Sequence, residues 1–201
     1  MFVSVVIAAA GSSTRMGSDV SKQLIKISGK TVLEYSIEAF SAVDEVNEII
    51  ISTKLEEKEL VESLTEKYKK VKKVTVGGKI RQESVKNAIG FLSPESDIVA
   101  IHDAARPLIS KEDINGIIEA AAEHGAVCPV SRVADTVKEV EDGIIKRTLD
   151  RDRLFLASTP QTFKTDLYRM SLSKIEDGQI FTDDCAIVEN AGFKVFTYIT
   201  S

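Results

Sequence analysis

Cysteine is scarce in this chain. The two cysteines among 201 residues, Cys128 and Cys185, show no C-x-x-C spacing and have no neighbouring histidine pair. That excludes a disulfide framework and a cysteine-built zinc site, and leaves two reduced thiols in or near the core. An excess of positive charge is missing as well. Lysine and arginine number 26 against 31 acidic residues, for a formal net charge of −5, so a general nucleic-acid or membrane-surface binder is excluded: such proteins need a positive field to neutralise phosphates. An anionic ligand must instead meet a local basic cluster. No apolar run approaches the roughly 20 residues that span a bilayer. The N-terminal run Phe2–Ala10 lacks a basic segment before it and is too short to serve as an anchor. Cytoplasm is the expected location. With no internal repeat, linker or low-complexity tract, residues 1–201 are expected to form one globular domain.

What is present is an alternation of two periodicities. Apolar runs of strand length occur at Phe2–Ala8, Glu48–Ser52, Lys73–Val76, Asp97–His102 and Ala126–Val130, with helix-like segments between them. That rhythm predicts an α/β fold with a mostly parallel central sheet covered by helices on both faces. Thr31-Val32-Leu33-Glu34 reads as a capping box opening a helix to about Ala42, and Ser110-x-x-Asp113 opens another that runs to His124 and stops at Gly125. Leu55–Lys70 reads as a charged amphipathic helix whose Glu and Lys residues form a solvated face. After Val130 the alternation breaks. Residues 132–152 read as a β-hairpin arm turning at Glu141-Asp142-Gly143, inserted into the α/β order. Helices near Thr165–Lys174 and Asp183–Ala191, the latter capped by Gly192, then lead to a strand over Lys194–Thr200.

The first strand runs into Ala9-Ala10-Gly11-Ser12-Ser13-Thr14-Arg15-Met16-Gly17, small residues throughout until one arginine. In an open α/β sheet, ligands sit at the carboxyl ends of strands, and a loop without bulky side chains lets backbone N–H groups approach phosphate oxygens. It is not a Walker loop, because Lys-Ser/Thr does not follow the last glycine, and it is not G-x-G-x-x-G, because Ser13 takes the middle position. A plain structural turn would use the same residues. Arg15 and Lys22, flanking the loop, add two cations able to neutralise a triphosphate and its transition state, although both also suit an ordinary surface.

Two more strand ends carry chemistry. Lys73–Val76 ends in Gly77-Gly78, where the backbone can be approached closely, and Ser84 follows near the start of the next helix, suited to hydrogen bonding a base or phosphate or to capping that helix. Asp97–His102 ends in Asp103. A strand-end aspartate is a usual way for an α/β enzyme to offer a carboxylate to a magnesium–nucleotide, so Asp103 is the expected metal ligand, with a capping role as the plainer alternative. His102 beside it reads as structural rather than as a general base.

Together, AAGSSTRMG (9–17), SKQ (21–23), GGKIRQESV (77–85), HDAARP (102–107), DTVK (135–138), TPQTF (159–163) and TDD (182–184) resemble the 2-C-methyl-D-erythritol 4-phosphate cytidylyltransferases of the non-mevalonate isoprenoid pathway, collinearly from residue 2 to about 199. The resemblance implies a Rossmann-like domain, a homodimer built through the β-arm, and magnesium-dependent transfer of CMP from CTP to a small polyol phosphate. It assigns Ala10, Gly11, Arg15, Lys22, Gly78, Ser84 and Asp103 to CTP or its Mg2+, with Arg15 and Lys22 as catalytic cations. It assigns Arg106, Thr136, Arg151, Thr159 and Thr182 to the polyol phosphate, some of them across the dimer, with Arg151 acting on the incoming phosphate. No nucleic-acid or membrane partner is implied. Ser13 stands where a second glycine is common. The family pattern also continues beyond residue 201 with an Asn-Ile-Lys-x-Thr segment whose lysine contacts the active site, and a chain without it is alternatively an inactive nucleotide-binding protein. D-ribitol 5-phosphate is the competing acceptor; HDAARP and DTVK favour methylerythritol phosphate.

Overall fold

The computed structural model describes residues 1–11 and 21–200. In chain order, the elements begin with β1 (Val3–Ala8), a 3-10 turn at Lys22–Leu24, β2 (Lys26–Ile27), β3 (Lys30–Thr31), α1 (Val32–Ser41) and β4 (Val46–Thr53). A second 3-10 turn at Leu55–Glu57 leads to α2 (Lys58–Thr65), β5 (Val71–Val76), α3 (Arg81–Ile89), β6 (Ile98–Asp103) and α4 (Lys111–His124). Then come β7 (Ala126–Arg132), β8 (Lys138–Glu141), β9 (Ile144–Thr148), a 3-10 turn at Arg151–Arg153, β10 (Phe155–Ala157), β11 (Gln161–Lys164), α5 (Thr165–Ser173), α6 (Asp184–Asn190) and β12 (Phe196–Ile199).

The main sheet runs β5-β4-β1-β6-β11-β7, and β7 pairs further with β10 and β12. β1 pairs in parallel with both β4 and β6, and β4 with β5. The carboxyl ends of β5, β4, β1 and β6 therefore share one edge, and the chain reverses its order about β1, where α/β proteins place their ligands. Alternation along β1 assigns the two faces. Val3, Val5 and Ile7 pack with Leu33, Ile37 and Phe40 of α1, Val61 of α2, and Ile114 and Ile118 of α4. Val6 packs with Val85 of α3, Phe163 and Tyr168, Leu172 of α5 and Val188 of α6. Both faces are covered, as the continuous apolar strands predict.

The capping signals are realised in atoms. The Thr31 hydroxyl accepts from the Glu34 amide at 3.2 Å and the Glu34 carboxylate accepts from the Thr31 amide at 2.8 Å. Ser110 caps α4 by accepting from Asp113 N, and Gly125 ends that helix at φ 90°, a conformation that costs a residue with a Cβ. At the arm, Asp142 and Gly143 turn at φ 50° and 77° between β8 and β9, the positive-φ pair that a two-residue hairpin needs. Two expectations change. The helix expected over Leu55–Lys70 is an α-helix only at Lys58–Thr65: Leu55–Glu57 winds as 3-10, and after Thr65 the chain turns through Tyr68 N to the Thr65 carbonyl and Val71 N to the Tyr68 carbonyl, each at 2.9 Å. An antiparallel strand, β11, also enters between β6 and β7, so the sheet is mixed there. Among the described residues no helix is long and apolar enough to cross a membrane.

Candidate active site

At the edge where the parallel strands end lies a cavity of about 540 Å³, whose wall includes Ala10, Gly11, Lys22, Gly78, Ser84 and Asp103. All six were expected at a nucleotide site, and they arrive from four separate chain segments. Small side chains are required here. A Cβ on Gly77 would stand 2.5 Å from the Ala10 Cβ and 2.7 Å from the Ser84 Oγ, and one on Gly78 would stand 2.2 Å from the Glu83 Cβ. The Ser84 hydroxyl accepts from Gly78 N at 3.0 Å and donates to the Ile80 carbonyl at 3.0 Å, so it holds the glycine turn against the first turn of α3. Arg15 and the rest of residues 12–20 lie outside the described residues.

A second cavity of about 260 Å³ adjoins the first, lined among others by Arg106, Ser158, Thr159, Gln161, Thr182 and Asp183, and the two cavities share Arg81 and Asp103. Three residues expected at the acceptor site, Arg106, Thr159 and Thr182, thus come together. The other two do not. Thr136 is exposed beside the arm, and Arg151 donates to the Ala134 carbonyl at 2.8 Å; neither borders these two cavities.

Asp103 is the junction. Its Oδ1 accepts from Arg81 Nε at 3.0 Å and its Oδ2 from Arg106 Nε at 3.3 Å. Arg81 reaches on to Asp184, Nη1 to Oδ2 at 2.6 Å, and the Tyr168 hydroxyl donates to the other Asp184 oxygen at 2.6 Å. Asp184 is fully buried. Burial works against the charged Arg81 guanidinium, but Asp184 and Asp103 outweigh it and hold its pKa above the ordinary arginine value. Burial pushes the Asp184 carboxyl upward, and Arg81 and Tyr168 offset part of that cost.

Below Asp103, His102 has no solvent exposure. Its Nε2 lies 3.0 Å from the Arg106 carbonyl, an acceptor only, so Nε2 carries the proton; the Nδ1 then accepts from the Thr159 hydroxyl at 3.0 Å. Thr159 in turn accepts from Asp103 N at 3.2 Å. His102 and Thr159 therefore fix the end of β6, and the imidazole is spent on structure rather than on proton transfer. Burial pushes the His102 pKa down to about 4 from 6.5. The unfolded chain takes up this proton first, so the associated stability is complete above pH 6.5 and falls as pH drops toward 4, by about 2 kcal/mol at pH 5. We expect the His102 ring resonance not to titrate between pH 8 and 5; a midpoint near 6.5 would contradict this placement.

The family model described as 2-C-methyl-D-erythritol 4-phosphate cytidylyltransferase matches residues 3–197. This chain belongs to that family. It is 44% identical over 192 residues to a protein of that name from Endomicrobium trichonymphae, covering 94% of this chain and 85% of the relative. A relative of the same name from Caldanaerobacter subterraneus subsp. tengcongensis is 44% identical over 200 residues, with 97% and 88% covered. Among solved structures, the 4-diphosphocytidyl-2C-methyl-D-erythritol synthase of Anaerococcus prevotii superposes with a TM-score of 0.88 at 28% identity, covering all of this chain and 89% of that one. The 2-C-methyl-D-erythritol 4-phosphate cytidylyltransferase of Thermus thermophilus gives 0.81 at 29%, with 100% and 90% covered.

Within this cytidylyltransferase fold, reading the sequence missed Arg81, which borders both cavities, and its buried partner Asp184. A signal for Arg81 existed. A cation in the first turn of a helix opposes the helix dipole and needs a compensating anion, and Arg81 opens α3 directly after the glycine turn. Asp184, the last residue of the TDD motif, lies in the first turn of α6, where an acid is ordinary and does not by itself signal a buried partner. Glu57 was also misread. Its carboxylate does not belong to a solvated face but is 13% exposed and bonded inward.

Proposed function

We propose that the protein transfers CMP from CTP to 2-C-methyl-D-erythritol 4-phosphate, forming 4-diphosphocytidyl-2-C-methyl-D-erythritol and pyrophosphate, as a magnesium-dependent cytoplasmic homodimer. The observation that carries this reading is the pair of adjoining cavities with Arg81 and Asp103 in their common wall. One has the small-residue walls that admit a nucleotide; the other presents Arg106 and Thr182 to a phosphate and its polyol.

The acceptor is a phosphate monoester whose second pKa, about 6, leaves it mainly dianionic at neutral pH. No side-chain base is needed, which agrees with a neutral, buried His102. The task is to hold that dianion against the α-phosphorus of an equally anionic triphosphate, so catalysis rests on positioning and positive charge. Lys22 and Arg15 contact the α- and β-phosphate oxygens, the backbone amides after β1 hold the departing pyrophosphate, and Arg106 with Arg151 draws in the acceptor phosphate. Asp103 suits Mg2+. It offers hard oxygens at the cavity edge, its two hydrogen bonds leave lone pairs on both, and Mg2+ needs only one or two protein carboxylates beside the phosphates. Bound there, Mg2+ would neutralise triphosphate charge. Thr136 and Arg151, which border neither of these two cavities, would serve the partner's site through the arm. The exposed Val140, Ile144 and Ile145 on that arm, 56–65% accessible, supply apolar surface for such an exchange.

The test is pyrophosphate release from CTP and Mg2+ with each acceptor offered separately. Release with 2-C-methyl-D-erythritol 4-phosphate and not with D-ribitol 5-phosphate is expected. Release with ribitol phosphate alone would move the protein to another polyol, and CTP binding without release with either acceptor would leave it a nucleotide-binding protein.

A further inference from the structure

Lys22 stands between two buried residues, of which Gln23 joins it in the wall of the larger cavity and Ser21 does not. Ser21 and Gln23 are 2% and 4% exposed, and both hydrogen-bond to the carboxylate of Glu57. Ser21 Oγ donates to Glu57 Oε1, and Gln23 Nε2 donates to Glu57 Oε2 at 3.3 Å. The same Oε2 accepts from Thr53 Oγ1 at 3.4 Å, and Lys54 Nζ lies 3.7 Å from Oε1. Lys54 also donates to Ser21 Oγ at 2.8 Å. With that acceptor position filled, the serine proton is directed at Glu57.

Three features make this more than a surface cluster. Among the described residues, Ser21, Gln23, Thr53 and Lys54 each offer Glu57 a donor, so the position suits a residue that accepts at both oxygens, as an ionised carboxylate does. Ser21 occupies the N-cap of the 3-10 turn Lys22–Leu24 yet makes no capping bond with its side chain, because its hydroxyl is committed to Glu57. Gln23 Nε2 donates as well to the Ala9 carbonyl, just past β1. The carboxylate thereby ties the segment entering the first loop, the segment leaving it and the end of β4 into one unit. With residues 21 and 23 both held by hydrogen bonds to Glu57, the backbone on either side of Lys22 is fixed where Lys22 and Gln23 border the cavity.

We propose that Glu57 is the positioning residue for Lys22, holding the ammonium at the cavity through Ser21 and Gln23 without touching substrate itself. This rests on the reading of Lys22 as a transition-state cation. Misplacing a catalytic group by about 1 Å can cost 10²-fold in rate. Glu57→Gln puts an NH2 against a donor and releases one flank of Lys22.

The experiment is a double-mutant cycle on kcat with CTP, Mg2+ and 2-C-methyl-D-erythritol 4-phosphate. Glu57→Gln is expected to lower kcat about 10–100-fold, with KM for the acceptor changed less than about twofold. In a Lys22→Ala background the same substitution is expected to change kcat less than about twofold. Ser21→Ala, which removes one hydroxyl, should show the same coupling at smaller amplitude and serves if Glu57→Gln does not fold. Equal loss in both backgrounds, or an unchanged kcat for both Glu57→Gln and Ser21→Ala, would overturn the proposal while leaving Lys22 its role. A near-normal kcat for Lys22→Ala itself would remove the reading beneath it.

Discussion

Replacing Lys22 with alanine should lower kcat about 10²–10³-fold, the scale of losing one preorganised contact to transition-state charge. The expectation follows from where the charge is needed. Two polyanions must meet, and the chain's own net charge of −5 repels both, so local cations must offset that repulsion. Lys22 borders the larger cavity together with Arg81 and Asp103, and the opposite charges of that ion pair largely cancel each other. An unfolding midpoint close to that of the wild type would show that the loss is chemical. A Lys22→Ala protein with near-normal kcat would remove Lys22 from the mechanism.

The second large effect is on stability. In Arg81→Met, the Asp184 carboxylate, with no solvent exposure, loses its cation and, among the described residues, keeps the Tyr168 hydroxyl. Removing one partner of a buried ion pair costs about 3–5 kcal/mol, whereas removing both charges costs much less. For a domain of this size that is a fall in Tm of roughly 10 °C. In Arg81→Met/Asp184→Asn no buried charge is stranded, and the amide oxygen can still accept from Tyr168, so much of the loss should return. Thermal unfolding of the three proteins decides the matter. A single variant within about 2 °C of the wild type, or a double variant no better than the single, would show that the pair does not anchor this wall.

Elements set by local chemistry were legible in the sequence, and elements set by tertiary chemistry were not. The Thr31–Glu34 box, the Ser110 cap, the Gly125 stop and the Asp142-Gly143 turn each need only a few neighbouring residues, and each appears in the structure. The strands of the parallel sheet were readable because burial on both faces makes them continuously apolar. β11 was not. Of its four residues, Gln161–Lys164, three are polar, and Gln161 and Thr162 are buried, so no period marks the strand. Gln161 uses its burial by accepting from Asp184 N and Cys185 N, each at 2.9 Å, contacts 23 and 24 residues away that no local pattern announces. Of the site, the small-residue walls and Asp103 could be found from strand ends alone, whereas Arg106, Thr159 and Thr182 came only through the family pattern. Glu57 was hidden for a different reason. In a run of alternating Glu and Lys, composition says solvated face, and only the packing of the 3-10 turn against Ser21 reveals the one carboxylate that points inward.

The most direct test of the account is the fate of the phosphorus atoms. The protein, CTP, Mg2+ and 2-C-methyl-D-erythritol 4-phosphate are followed together by phosphorus NMR, with the product mass determined. Two mutually coupled resonances of a new diphosphate linking cytidine to the polyol are expected, growing in step with one equivalent of pyrophosphate. Pyrophosphate accompanied by free CMP, or CTP left intact in the presence of this acceptor, would contradict it.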